Sequence, residues 1–420
     1  MTELMIIADD FTGALDAGVH FAERGIGTRV IVSPDHDRSW EEGIRSGETT
    51  VLVIDAETRH VSPDQAYRKV FAVAKDAREA GIPYIYKKTD SALRGNIGSE
   101  LEAAYRAAGE PFLSFVPALP QMNRITRGGR QYIDGVPVSK SVFGRDPFEP
   151  VTKDSVKDII CLQSEIPVIE THGEARPGPG QAGIVVYDAT TEADIRRIGA
   201  DLTVTGQNRL MAGCAGFAAI LPDLLGLKRQ EPETAALERR LFVICGSVNP
   251  ITRRQLDWGE RVGYPRIYMA AEEKLNPEFW RSEQGAGLTR RLTQESSEND
   301  CVILDTNDRE GERNTLEYAR ELGMDTGQVR SRIPETLGII LKNMLDCELH
   351  AVILVTGGDT LLGFMKEIRQ WELQPIRQVR PGCVLTKLYY CGREHHIITK
   401  SGGFGEENLL SELTEELKGK

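Results

Sequence analysis

The sequence predicts an α/β fold of two lobes, each a mostly parallel sheet flanked by helices, with the active site in the cleft between them. Short β-branched runs recur along the chain, and each is followed by glycine or polar residues and then by a helical pattern. Such alternation is typical of parallel sheets that carry helices on their faces. It pauses at the polar segment 227–240 and then restarts, which indicates a second lobe.

Each predicted strand is a short run of β-branched, aliphatic or aromatic residues that ends near glycine or a polar residue. After the first strand, Phe11, Leu15 and Val19 recur at the spacing of a helix. The predicted strands are residues 4–7, 51–54, 83–86, 112–116 and 184–187 in the first lobe and 241–245, 301–304, 352–355 and 395–399 in the second.

The chain has 420 residues, which is more than one average hydrophobic core accommodates, so two domains are expected. The segment 227–240, LKRQEPETAALERR, is charged and has no strand pattern, and we interpret it as a linker. A helix is one alternative for its second half. The predicted domains are therefore residues 1–226 and 241–420.

Composition and charge narrow the class of protein. The net charge is −12, and no concentrated basic patch suggests a nucleic-acid partner. No apolar run approaches the roughly 20 residues of a membrane helix, so no membrane partner is expected. The seven cysteines include no CxxC pair, which fits a reducing compartment and a cytoplasmic location. The oligomeric state stays open, with a homodimer as one alternative.

Two aspartates, Asp9 and Asp10, directly follow the first predicted strand. Because strand side chains alternate between faces, one aspartate is expected to face a ligand crevice while the other caps the next helix. The alternative is that both aspartates only cap the helix. Gly13 favours a site, since a glycine there lets a ligand approach the backbone.

The stretch KKTDSALRGN, residues 87–96, follows the strand at 83–86 and precedes a helix. Its lysines and Arg94 stand beside Asp90 and Ser91 near a helix N-terminus, which predicts a carboxylate or phosphate site. The alternative is a solvated charged loop. Arg59, just past the second strand in chain order, is a further candidate cation at the same sheet edge.

The long connections between residues 117 and 148 contain PALPQMNR, GGR and FGRDPF. Loops of this length inside a compact domain are usually functional or disordered. Their aromatic, proline and charged residues argue against disorder, so we expect part of a functional site there.

Three glycine-rich loops follow strands of the second lobe: CGSVNP at 245–250, TGGDT at 356–360 and SGGFG at 401–405. Exposed backbone N–H groups in such loops, two of them before a predicted helix, favour an anion site over simple turns. None of the three loops is a GxxxxGK[ST] or GxGxxG pattern, and no HExxH pattern occurs, so no tightly held metal is expected and a nicotinamide-dependent dehydrogenase is only an alternative.

Seven motifs in order, IADDFTGALDAG, KKTDSALRGNIG, FVPALPQMNRITRGGRQYIDG, CGSVNP, TGGDT, PGCVL and KSGGFG, resemble the four-carbon acid sugar kinase family, formerly a domain of unknown function. The resemblance spans nearly the whole chain. It implies an acid-sugar-binding N-terminal lobe, a nucleotide-binding C-terminal lobe, and phosphorylation of a terminal hydroxyl by ATP, with Mg²⁺ carried by the ATP. D-threonate is the expected substrate, and D-erythronate and 3-oxo-tetronate are alternatives, as is a non-catalytic sugar-acid sensor.

The same resemblance implies site residues. The residues expected to contact the acid sugar are Asp9, Arg59, Lys88, Thr89, Asp90, Ser91 and Arg94. The residues expected to line the ATP site are Ser247, Gly357, Gly358, Asp359, Thr360, Gly402 and Gly403. The hypothesis for the general base is Asp9 or Asp10, and then Asp90.

Overall fold

The computed structural model describes residues 1–32, 40–46, 49–146, 149–171, 180–401 and 403–419, which divide into two compact units, Met1–Glu233 and Thr234–Lys420. The division falls inside the predicted linker, residues 227–240. The helical alternative for its second half is wrong, because that stretch is irregular and mostly exposed. Only Ala235 and Leu237 pack on the second unit's core, so a helix there would have too small an apolar face to stabilise it.

In the described part of the first unit, one sheet has eight parallel strands in the order β2-β3-β1-β4-β11-β5-β10-β9. A separate antiparallel sheet, β6-β7-β8, is formed by the long connection between residues 117 and 148. The strands are β1 (Leu4–Ala8), β2 (Thr28–Val32), β3 (Val51–Asp55), β4 (Tyr84–Lys88), β5 (Phe112–Val116), β6 (Arg124–Arg127), β7 (Arg130–Ile133), β8 (Val136–Pro137), β9 (Val168–Thr171), β10 (Gly183–Tyr187) and β11 (Leu210–Gly213).

Helices cover the eight-stranded sheet, so β1 and β3 are buried along their whole length rather than in alternation. Several helices begin at side-chain caps, such as the capping box that Ser62 forms with Gln65. The helices are α1 (Phe11–Ala22), α2 (Trp40–Ser46), α3 (Pro63–Glu79), α4 (Ile97–Ala108), α5 (Val156–Cys161), α6 (Glu192–Thr205), α7 (Ala215–Ala218) and α8 (Leu221–Leu224).

The described residues of the second unit form five parallel strands followed by two antiparallel ones, in the order β13-β14-β12-β15-β18-β17-β16. The strands are β12 (Leu241–Cys245), β13 (Arg266–Tyr268), β14 (Cys301–Asp305), β15 (Val352–Thr356), β16 (Glu372–Arg380), β17 (Cys383–Tyr390) and β18 (Arg393–Lys400). The helices are α9 (Pro250–Arg261), α10 (Ala271–Lys274), α11 (Pro277–Arg281), α12 (Glu283–Glu298), α13 (Thr315–Glu321), α14 (Thr326–Asp346), α15 (Gly358–Ile368) and α16 (Leu409–Leu417).

The predicted fold class is confirmed, since each unit has a mostly parallel sheet flanked by helices. Among the described residues, no helix combines the length and apolar character needed to cross a membrane. All seven cysteines lie among the described residues and none forms a disulfide; Cys245 and Cys301 are buried in apolar strands. Burial raises the pKa of the Cys245 thiol to about 11, so it stays a neutral core group.

Helices α14 and α15 pack unusually closely, which fixes the start of α15. A β-carbon added at Gly363 would lie 2.3 Å from the carbonyl oxygen of Pro334, and one at Gly338 would lie 2.6 Å from Gly363. Only glycine allows this approach. The first turn of α15, which carries the TGGDT loop, is therefore anchored on a rigid pair of helices.

Candidate functional site

Polar side chains converge at the carboxyl ends of β1, β3 and β4 in the first unit. Ala8, the last residue of β1, is in register with Asp55 on one side and Lys88 on the other. The residues that follow these strands therefore emerge together at one sheet edge, where ligands bind in open α/β sheets. We call this group, built around Asp9 and Arg59, the first cluster.

Arg59 is the centre of the first cluster and is itself buried. Its Nε and Nη2 atoms lie 2.8 and 2.7 Å from Oδ2 of Asp9, and its Nη1 lies 2.7 Å from Oδ2 of Asp10. A third carboxylate, Asp90, lies 3.8 Å from Nη2. The backbone N–H of Arg59 donates to the carbonyl of Asp9 at 3.1 Å, which holds the loop in place. One guanidinium thus ties together three aspartates.

Asp10 has two roles. It caps α1 by accepting hydrogen bonds from the Gly13 N–H at 3.0 Å and the Thr12 hydroxyl at 2.9 Å, and it also pairs with Arg59. The sequence predicted that one aspartate of the pair would be a cap, and this is confirmed. Burial alone would raise the pKa of Asp10, but Arg59 and Lys88 outweigh it and lower the pKa below its usual value.

Asp90 and Arg94 form a two-pronged ion pair, with Nε–Oδ2 and Nη2–Oδ1 distances of 3.0 Å each. The backbone N–H groups of Ala92 and Arg94 also donate to Asp90, at 3.2 Å each. Burial opposes ionisation, yet Arg94 and Arg59 hold the pKa of Asp90 well below its usual range. The KKTDSALRGN stretch is therefore an ordered network and not a solvated loop.

The two adjacent lysines point to opposite faces of β4, as strand geometry requires. Lys87 is fully buried, and its Nζ lies 2.8 Å from Oε2 of Glu100 on α4. Lys88 is at the site: its Nζ donates to the Thr89 carbonyl at 3.0 Å and would lie 2.7 Å from a β-carbon added at Gly13. The sequence predicts both lysines at one anion site, and this is wrong for Lys87.

Thr89 and Ser91 complete the predicted substrate residues. The Thr89 N–H donates to the Gly213 carbonyl at 2.8 Å, and its buried hydroxyl has no hydrogen-bond partner among the described residues. The Ser91 hydroxyl contacts the guanidinium of Arg124, and its carbonyl accepts from Gln131 Nε2 at 3.0 Å. The structure thus brings all seven predicted substrate residues to one end of the sheet.

Sequence reasoning missed two charged residues of the first cluster. Arg124 begins β6, in a connection for which only a general role was expected. Asp16 lies on α1, three residues after Gly13, so both residues are on the same face of the helix. The Nζ of Lys88 lies near Gly13 on that face. Burial raises the pKa of Asp16 to about 7, although Lys88 opposes the shift. Helical spacing within IADDFTGALDAG was the available signal for Asp16.

Replacing Asp16 with Asn should stabilise the protein increasingly as the pH rises. The pKa of Asp16 is about 7 in the folded protein and about 4 in an unfolded chain. The stability of the wild type therefore decreases as the pH rises from about 4 to about 7. Because the carboxyl is partly exposed, we expect Asp16→Asn to gain only about 1–2 kcal/mol over wild type at pH 8 and nothing at pH 4. Urea unfolding across this range measures the difference.

The matched control for that series is Asp201→Asn, because the side chain of Asp201 is 44% exposed on α6 and pairs weakly with Arg197 at 3.8 Å. Its effect should stay within about 0.5 kcal/mol at every pH. A stability difference for Asp16→Asn that does not change between pH 4 and 8 would contradict the raised pKa.

In the second unit, the three glycine-rich loops begin at one aligned sheet edge. Thr356, at the end of β15, is in register with Cys245 of β12 and Lys400 of β18. The CGSVNP loop leads into α9, which Asn249 caps by accepting from the Ile251 N–H at 2.9 Å. The TGGDT loop leads into α15, with Gly357 as the N-cap. Two helix N-termini therefore stand side by side, which favours anion binding.

Glycine is required at two points of these loops. Gly357 has a φ of +96°, a conformation that disfavours side chains. A β-carbon on Gly246 would lie 2.1 Å from the hydroxyl oxygen of Thr360, so the loop packs directly on α15. Gly403 is different, because a β-carbon there would meet only Asn249, at 4.0 Å. The loops thus keep their backbone N–H groups close together without side chains between them.

The remaining predicted ATP-site residues have distinct environments. The Ser247 hydroxyl accepts from the Asn249 N–H at 3.3 Å. Gly358 begins α15, and Thr360 is buried in its first turn. Asp359 is exposed there and pairs with Arg330 at 3.3 Å, so it lies on the α14 side. Gly402 lies outside the described residues.

Lys400 is a further residue that the sequence analysis missed, because only the glycines of KSGGFG were considered. It ends β18 and is 1% exposed. Its Nζ donates to the Thr252 hydroxyl at 3.1 Å, in the first turn of α9, and to the Ser401 carbonyl at 3.2 Å. Burial lowers the pKa of Lys400 to about 8. A lysine thus stands beneath the loops that begin at this sheet edge.

No group of three or more His, Cys, Asp or Glu residues arranged to hold a metal ion occurs among the described residues. The polar groups at the two sheet edges differ in their chemistry. The first unit offers carboxylates, guanidinium groups and hydroxyls, which suit a hydroxylated acid. The second offers backbone N–H groups, two helix N-termini and a lysine, which suit phosphates.

Comparison with known proteins agrees with this division. A family model described as a sugar-binding N-terminal domain matches residues 4–221, and one described as a nucleotide-binding C-terminal domain matches residues 242–410. A D-threonate kinase of Salmonella typhimurium is 29% identical over 423 residues, covering 97% of this chain and 96% of the relative. A D-erythronate kinase of Heliobacterium modesticaldum is 27% identical over 430 residues, covering 97% and 95%.

Shorter matches include a 3-oxo-tetronate kinase of Escherichia coli, 28% identical over 281 residues, covering 61% of this chain and 69% of the relative. Among solved structures, a DUF1537 protein of Haemophilus influenzae has a TM-score of 0.73 at 19% identity, with 99% of both chains covered. A Salmonella typhimurium protein described as a putative tRNA synthase has a TM-score of 0.78 at 20% identity, covering 99% and 100%. At these identities the structures establish a shared fold.

Proposed function

The chain belongs to the four-carbon acid sugar kinase family, and on that premise we propose that it transfers the γ-phosphoryl group of ATP to the terminal hydroxyl of D-threonate. The observation that carries the proposal is that one chain contains both the first cluster, which suits a hydroxylated acid, and a set of loops in the second unit that suit phosphates. Of the two full-length relatives described above, the D-threonate kinase is 29% identical and the D-erythronate kinase 27%, which supports D-threonate as the substrate.

The loops of the second unit fit nucleotide phosphates. Close packing of Gly246 on Thr360 and the left-handed backbone of Gly357 bring N–H groups of two helix N-termini together. Lys400 would neutralise phosphate charge from below the loops. Mg²⁺ would accompany ATP and neutralise charge on its phosphate oxygens. The residues proposed to line this site are Ser247, Gly357, Gly358, Asp359, Thr360 and Gly403, together with Gly402.

The first cluster fits the acid sugar in a particular way. Arg59 and Arg94 are already paired with aspartates, so they serve mainly to hold Asp9 and Asp90 in place. Ionised aspartates accept hydrogen bonds from substrate hydroxyls. Lys88 and the hydroxyls of Thr89 and Ser91 would donate to the substrate.

Transfer requires the substrate hydroxyl to attack the γ-phosphorus while the bond to the ADP oxygen breaks, and most of the catalysis lies in positioning. The hydroxyl must also lose its proton. Our hypothesis of Asp9, Asp10 or Asp90 as the base is weakened for Asp10 and Asp90, whose pKa values are lowered. Asp16, with a pKa of about 7, is better matched to accept a proton near neutral pH.

A coupled ADP assay on purified protein tests the function. ATP, Mg²⁺ and a panel of D-threonate, L-threonate, D-erythronate, L-erythronate and 3-oxo-tetronate should release ADP, with the highest kcat/KM for D-threonate. The control without an acid measures ATP hydrolysis by water. ADP no higher than that control with every acid would contradict the kinase proposal, and a clear preference for another acid would reassign the substrate.

A further inference from the structure

The cations of the first cluster differ in whether protein carboxylates already neutralise them. Arg59 contacts Asp9 and Asp10 at 2.7 Å, and Arg94 is paired with Asp90. Within the part of the chain that the structure describes, no carboxylate forms an ion pair with Arg124; its guanidinium contacts the neutral hydroxyl of Ser91, and Asp90 acts on it only from beyond ion-pair distance.

Such an arrangement is costly unless another anion is present. Arg124 is partly buried, and burial lowers the pKa of its guanidinium. A partly buried cation loses hydration that one hydroxyl does not replace. An anionic group bound beside Ser91 would restore that interaction, and a guanidinium fork binds a carboxylate through two parallel hydrogen bonds.

The guanidinium of Arg124 is also held in position before any ligand arrives. It lies over the ring of Phe143, 5.1 Å from the ring centroid, and the guanidinium of Arg94 lies 5.1 Å from the same centroid. One aromatic ring thus orients two guanidinium groups through cation–π contact. A receptor fixed in this way loses little side-chain entropy when it binds.

A buried network fixes the β6–β7 hairpin that carries Arg124. The fully buried Gln131 donates to the carbonyl of Ser91 at 3.0 Å and accepts from the hydroxyl of Thr126 at 2.8 Å. These bonds join the hairpin directly to the residue that Arg124 contacts. The small antiparallel sheet therefore brings Arg124 to the first cluster as a fourth cation, in addition to Arg59, Lys88 and Arg94.

We propose that Arg124 binds the carboxylate of the sugar acid and makes the enzyme prefer acids over neutral polyols of the same length. This proposal rests on the proposed kinase function. Arg59 and Arg94 then shape the site through Asp9 and Asp90, while Arg124 meets the negative charge of the substrate.

The experiment compares Arg124→Gln with Arg127→Gln in wild-type background. Arg127 is exposed on the same hairpin and packs on Tyr132, with its Cζ 5.2 Å from the ring centroid, so it is a matched control. Arg124→Gln should raise the KM for D-threonate at least tenfold, leave the KM for ATP unchanged, and reduce the preference for D-threonate over D-threitol. Arg127→Gln should change none of these values.

Arg124→Lys is the second variant, since it keeps the charge and loses the fork. It should recover part of the affinity for D-threonate, whereas a merely structural role would not distinguish charge in this way. An Arg124→Gln variant that unfolds at the wild-type temperature and keeps the wild-type KM and acid preference would overturn the proposal.

Calorimetric titration of D-threonate in the absence of ATP separates this proposal from the kinase proposal. If wild type binds D-threonate but forms no ADP, the kinase proposal fails while weaker binding by Arg124→Gln still supports the carboxylate role. Equal binding by wild type and Arg124→Gln would overturn the carboxylate role even if ADP forms normally.

Discussion

Replacing Arg59 with Met should lower the free energy of unfolding by about 3–5 kcal/mol at pH 7, because it leaves buried carboxylates without their cation. Arg59 contacts Asp9 and Asp10 at 2.7 Å, and Asp90 lies 3.8 Å away. Asp9 and Asp90 are nearly inaccessible to water, so solvent cannot replace the lost interaction. Chemical denaturation of the two proteins measures the difference.

The loss should shrink as the pH falls. In wild type, Arg59 helps to lower the pKa values of Asp10 and Asp90, so its stabilisation is present above pH 4 and is lost as these groups become protonated. In Arg59→Met the carboxyl groups protonate more readily, which relieves their repulsion. The stability difference between the variant and wild type should therefore narrow from pH 7 toward pH 4.

Arg68→Met is the matched control for Arg59→Met, because Arg68 is exposed on α3. It should change the free energy of unfolding by no more than about 0.5 kcal/mol. If Arg59→Met were no more destabilising than this control, or if its effect did not depend on pH, Arg59 would not be holding the aspartates together.

The prediction from sequence succeeded where a single rule governs position. Parallel strands place their carboxyl ends at one edge, so Asp9 and Lys88 could be brought together from strand patterns alone. The same rule placed the three glycine-rich loops of the second unit. It failed for Lys87 because β4 continues through Lys88. The two adjacent lysines therefore point to opposite faces of the sheet, and only Lys88 faces the site.

What sequence reasoning missed depends on contacts between distant segments. The antiparallel strand β16 is rich in polar residues and its pairing with β17 contains register shifts, so it lacks clear alternation. Arg124 reaches Ser91 across 33 residues, through a hairpin whose orientation a buried glutamine decides. In the sequence Lys400 has the context of an ordinary lysine at a strand end, and its burial depends on the tertiary structure. Pairings of this kind have no local periodicity.

Lys400→Met should make the protein more stable and at the same time a poorer ATP binder. The pKa of Lys400 falls from 10.5 to about 8 in the folded protein, so the charged form opposes folding below pH 8. Methionine fills a similar volume without charge. After allowing for the lost hydrogen bonds to Thr252 and Ser401, we expect a gain of about 2 kcal/mol at pH 7.

That gain should be complete below pH 8 and should disappear as the pH approaches 10.5, where wild-type Lys400 is neutral in both folded and unfolded chains. Lys342→Met is the control: Lys342 pairs with Asp346 on α14, with the Nζ–Oδ2 distance 2.6 Å, and it should cost no more than about 0.5 kcal/mol. Denaturation at pH 7 and pH 10 separates the two variants.

The two effects of Lys400→Met have opposite signs because a buried cation costs stability that only a bound anion returns. We therefore expect ATP affinity, measured by calorimetry, to fall tenfold or more while the unfolding temperature rises. A less stable variant with unchanged ATP affinity would show that Lys400 supports the strand end and has no part in binding phosphate. If removing a residue stabilises the fold and weakens ligand binding, the role of that residue is to bind the ligand. A residue with a structural role would show the opposite effect on stability.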